Sequence, residues 1–203
     1  LAAAGLVLLA AAPAVTPSPY LGLCLAVVVY AVGGGLLEVL VSPVVDALPA
    51  PAEGKAAAMS LLHSFYCWGQ VTVVAGSTLL LAAVGQDAWP VLPLVWAVVP
   101  LVNMVAFLRV PLPPTVAEEH RTPLRRLFAT PAFAAAVVLM LCAGAAELTM
   151  SQWSSLFAEQ GLGAAKVWGD LAGPCLFAAL MGLGRIAYGL RGERIPLPPA
   201  LTA

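Results

Sequence analysis

Three ionisable side chains, Glu38, Glu147 and Arg185, stand inside long apolar stretches of this 203-residue chain. A charge at the centre of a helix in hydrocarbon costs about 2.5–3.5 kcal/mol on insertion scales, so the residues that persist there mark ion, proton or substrate paths. Glu38 follows the run Gly33, Gly34, Gly35, and Glu147 lies midway along its own apolar stretch. A carboxyl group at such depth is desolvated, which favours its neutral form and suits it to taking up and releasing a proton. Glu38 and Glu147 are therefore candidate proton-coupling residues. The competing reading of each is a structural carboxyl bonded to a neighbouring helix. Arg185, in the last quarter of its stretch, reads as a packing or gating group whose long side chain can snorkel toward the membrane surface.

Two clusters of polar and aromatic residues lie on the same kind of stretch: His63, Ser64, Tyr66, Trp68 and Gln70, and then Ser151, Gln152, Trp153 and Ser154. Rings beside amide and hydroxyl groups suit a polyhydroxylated, uncharged ligand, held by several hydrogen bonds and an apolar stacking face. His63, Tyr66, Gln152 and Trp153 are the substrate-binding candidates. Helix packing is the alternative, since Ser and Gln bond across membrane helices and Trp153 suits an interfacial anchor. Enzyme chemistry finds no support: G-x-S-x-G, H-E-x-x-H and a Walker glycine loop are all missing from the sequence, and His63 and His120 are far apart. Cys24, Cys67, Cys142 and Cys175 show no metal-ligand spacing and read as small core hydrophobes, so neither a metal nor a cofactor is expected.

The elements that must position these residues are membrane spans. Hydrophobic residues make up 62% of the chain and charged residues 9%, against roughly 25% charged in a soluble domain. A net charge of -1 with no long basic run gives no footprint for nucleic acid. Six helical spans are expected, at residues 1–15, 20–48, 56–84, 89–109, 131–157 and 168–190, giving an all-α membrane protein. Turn-forming stretches separate them, among them Thr16-Pro17-Ser18-Pro19, Pro49-Ala50-Pro51, Gly85-Gln86-Asp87 and Gly161-Leu162-Gly163. Barrel strands of about 9–11 residues are far shorter than these runs. The first span is short and the chain opens on Leu1 with no charged n-region, so a fragment is expected.

Orientation follows from the basic residues. With the spans alternating, Lys55, Arg109, Arg121, Arg125, Arg126, Arg191 and Arg194 fall on one side and Lys166 alone on the other, so the first side is cytoplasmic by the positive-inside rule. The longest polar stretch, residues 111–130, separates four spans from two. It reads as a cytoplasmic linker between a membrane portion at 1–110 and another at 131–203.

The stretches GGGLLEVLVSPVVDALP (33–49), KAAAMSLLHSFYCWGQ (55–70) and LFAALMGLGRIAYG (176–189) resemble the major facilitator superfamily, within it the sugar and proton symporters that include fucose permease. The resemblance implies a partial twelve-helix bundle, with the six spans as its third to eighth helices and 111–130 as its central loop. It places the spans carrying Glu38 and Glu147 on a central cavity, Glu38 at a proton or sugar site, and His63 and Tyr66 where related permeases hold polar sugar ligands. The function expected is proton-coupled transport of a sugar or similar small polar solute by alternating access, in a lipid bilayer that is taken to be the plasma membrane. A non-transporting sensor or scaffold, and a facilitator or drug exporter of the same fold, are the alternatives.

Overall fold

The computed structural model describes residues 1–47, 52–110 and 122–191. Every regular element among them is helical: α1 (Ala2–Val15), α2 (Pro19–Asp46), α3 (Ala52–Val84), α4 (Val91–Phe107), α5 (Leu124–Phe128), α6 (Pro131–Leu162), α7 (Lys166–Asp170) and α8 (Leu176–Arg191). A short 3-10 turn, Gln86–Ala88, precedes α4, and a π-turn, Leu171–Cys175, joins α7 to α8 into one 26-residue rod.

Local chemistry explains the boundaries. Pro19 opens α2 at the first helical position, where its missing N–H costs nothing. Gly85 (φ 103°) and Gly163 (φ 67°) end α3 and α6 in the left-handed region that lacks a penalty only for glycine. Pro174 cannot donate to the Asp170 carbonyl one turn back, and the wider π-turn absorbs the lost bond.

Five of the rods among the described residues are long and apolar enough to cross a bilayer. Six spans were expected from the sequence. The sixth, α1, has 14 residues and rises about 21 Å, short of a hydrocarbon core of roughly 30 Å.

The chain separates into two compact units, Leu1–Met59 with Leu79–Pro113, and Ser60–Thr78 with Pro114–Ala203. In the first unit α1 packs on both α2 and α4. Its interface is made of small residues: Gly5, Ala12, Gly22, Ala26, Gly33 and Ala97 are buried. A methyl group added to Gly5 would collide with the Tyr30 backbone, and one on Gly33 with the backbone of Leu1 and Ala2, so the two helices run antiparallel at close approach. In the second unit α6 packs on α7, the π-turn and α8, while the middle of α3 lies against α8.

Burial is inverted relative to a water-soluble domain. The buried apolar residues are Ala12, Ala26, Cys67, Ala97 and Ala178, whereas Leu, Val, Phe and Met side chains point outward along every rod. Small residues between helices and large apolar ones on the outer surface are what a lipid solvent favours, because lipid offers no hydrophobic drive to bury leucine. The chain is accordingly a multi-pass membrane protein in its helical architecture. The turn at 49–51, most of the linker with His120 and Arg121, and the tail with Arg194 lie outside the described residues.

Candidate functional site

The second unit brings two of the three intramembrane ionisable residues together. Glu147 on α6 and Arg185 on α8 face each other, with Oε2 and Nη2 4.0 Å apart and each side chain about one third exposed. The guanidinium also reaches Met181 Sδ at 3.7 Å, one helical turn back on α8. On the α3 side, Ser60 Oγ donates to the Arg185 carbonyl at 2.8 Å. Cys67, fully buried, stands where a methyl on Gly182 would come to 3.0 Å, with the Trp68 indole nitrogen beside it. The glycine at 182 is what lets α3 approach α8 this closely. The pairs 60 with 185 and 67 with 182 run α3 antiparallel to α8 and fix its register.

A second polar cluster lies further along the same helices, its Ser155 about 12 Å beyond Glu147 on α6. Thr78 Oγ1 donates to Asp170 Oδ2 at 2.9 Å, and Ser155 Oγ donates to Asp170 Oδ1. Lys166 bridges Asp170 at 3.3 Å and Glu159 at 3.1 Å. The Ser155 hydroxyl also lies 3.2 Å from Glu159 Oε1, but it has one proton to give. Next to it, Ser154 Oγ is buried with no partner among the described residues, held against the Gly173 backbone of the π-turn. This cluster joins α3, α6 and α7. Sequence reasoning missed Thr78, Ser155, Glu159 and Asp170, although Lys166 and Asp170 stand at the (i, i+4) spacing that places opposite charges on one helix face.

The other sequence candidates are placed as follows. Glu38 is exposed on α2, beyond the point where Leu1 and Ala2 abut Gly33; Ser42 Oγ donates to its carbonyl at 3.5 Å, and its carboxylate has no partner among the described residues. His63 and Tyr66 lie on the middle of α3, where the His63 carbonyl accepts from Cys67 Sγ at 3.5 Å and Tyr66 is half-exposed. Gln152 and Trp153 are exposed on α6. Glu38 belongs to the first unit, and the remaining candidates to the second.

Two of the four cysteines depart from the expected core role. Cys67 is buried, but Cys24 and Cys142 are exposed on their rods, as a weakly polar thiol on a lipid-covered surface can be. Compared with protein-family models, curated proteins and solved structures, the chain matches none of them.

Proposed function

We propose that this protein is a secondary active transporter that moves a sugar or similar small polar solute across a membrane by alternating access, coupled to protons. The observation that carries the reading is the Glu147–Arg185 pair, two ionisable groups on membrane-length helices, supported by the Glu38 carboxylate, which has no partner among the described residues, on another such helix. Ionisable residues kept at membrane depth against an insertion cost of about 2.5–3.5 kcal/mol each are the usual signature of a proton or ion path. The likeness of residues 33–49, 55–70 and 176–189 to sugar and proton symporters of the major facilitator superfamily points the same way. In this reading Glu38 and Glu147 are the proton-coupling residues, and the rings and amides of His63, Tyr66, Gln152 and Trp153 supply hydrogen bonds and stacking to the solute.

Proton coupling separates uphill accumulation from exchange. Glu38→Gln in the intact protein should abolish accumulation against a gradient while solute exchange continues at a reduced rate, measured with radiolabelled solute in membrane vesicles. Accumulation equal to that of the wild type would remove Glu38 from the proton path.

A further inference from the structure

Arg185 has five N–H donors in a planar fork. Among the described residues its guanidinium reaches the Met181 sulfur at 3.7 Å and the Glu147 carboxylate at 4.0 Å. Thioether sulfur is a weak acceptor, and 4.0 Å is beyond hydrogen-bond range. Among the described residues the fork is thus attracted to Glu147 without being satisfied by it, and each of the two side chains is about one third exposed. A guanidinium with unfilled donors matches the paired oxygens of a carboxylate or phosphate better than it matches a neutral hydroxyl.

We propose that Arg185 binds the oxyanion of a small acidic solute, a carboxylate or phosphate group, and that protonation of Glu147 releases Arg185 to do so. The proposal rests on the transporter reading and narrows its solute from a neutral sugar to one carrying an acidic group. Charge accounting supplies the coupling. Glu147 and Arg185 alone compensate each other. A proton on Glu147 without an anion leaves Arg185 uncompensated, and an anion without the proton leaves an excess negative charge, both at membrane depth. Proton and anion together restore neutrality, so each raises the affinity for the other. Cys67 of α3 faces the pair, with His63 one turn before it; α6 contributes Glu147 itself and α8 Arg185. The oxyanion has two possible sources, a dissolved solute or a lipid headgroup.

The experiment follows the thermal unfolding midpoint of the intact protein in lipid-free detergent, titrated with glucuronate, inorganic phosphate or neutral glucose at pH 5.5 and pH 8. Glucuronate should bind roughly tenfold or more tightly at the lower pH. Glu147→Gln should bind it equally at both. Arg185→Gln should lose it, and Arg185→Lys, which keeps the charge without the fork, should weaken it. Indifference of the wild type to both anions, anion binding by Arg185→Gln, or pH dependence surviving Glu147→Gln would each overturn the proposal. A second arm adds phosphatidylglycerol to phosphatidylcholine nanodiscs. Stabilisation by that lipid alone, lost in Arg185→Gln, keeps the oxyanion site but overturns the dissolved solute. Anion binding without proton flux would leave the site standing and sink the transporter reading, whereas proton-coupled flux of neutral sugar without anion binding would do the reverse.

Discussion

At the scale of residues, energetics turn on charges kept out of water. Removing one partner of the Glu147–Arg185 pair strands the other, while removing both takes the cost away along with the attraction. The double variant Glu147→Gln/Arg185→Gln should therefore lose less stability than the sum of the two singles, with a coupling of about 0.5–3 kcal/mol in a double-mutant cycle of unfolding in detergent. Strict additivity would mean the two groups do not interact. The sequence revealed Glu147 and Arg185 as isolated charges in apolar runs, because that signal is local. Their partnership was not legible, since it depends on which faces of α6 and α8 meet. Asp170 escaped notice for a related reason: it sits at the rim of an apolar run, where a charge looks like a boundary, and its value comes from Thr78 and Ser155 on other helices.

Elements associate here through the absence of side chains. Gly5 in α1 lets the Tyr30 backbone approach, whereas Gly34 in α2 has open space where a side chain would be. Alanine gains about 0.5–1 kcal/mol over glycine within a helix, so the steric term decides the sign. Gly34→Ala should be neutral or stabilising, and Gly5→Ala should cost about 1–3 kcal/mol through overpacking. Thermal melts of both in the same detergent check the contrast; equal effects would argue against close α1–α2 packing. The rods themselves were legible from hydropathy and turn residues, with ends off by a few residues where α3 and α6 run past the apolar core into more polar turns. The π-turn at Leu171–Cys175 was not, although Pro174 marks it in retrospect.

For the whole molecule, alternation of the rods across the bilayer is the property that any transport depends on. Lys55 pairs with Asp46, and Lys166 pairs with Asp170 and Glu159; the charge distribution of the sequence assigns Lys55 to the cytoplasmic side and Lys166 to the other. With the four native cysteines replaced by alanine, Ala164→Cys should react with a membrane-impermeant maleimide in intact cells, and Lys55→Cys only after permeabilisation. The opposite pattern would invert the orientation. Transport itself is tested most directly by the external pH of weakly buffered cells expressing the intact protein, on adding neutral and acidic sugars one at a time. The account predicts a rise in external pH with one solute or a small group of them, absent from cells lacking the protein; no rise with any solute, while the protein is present in the membrane, would contradict it.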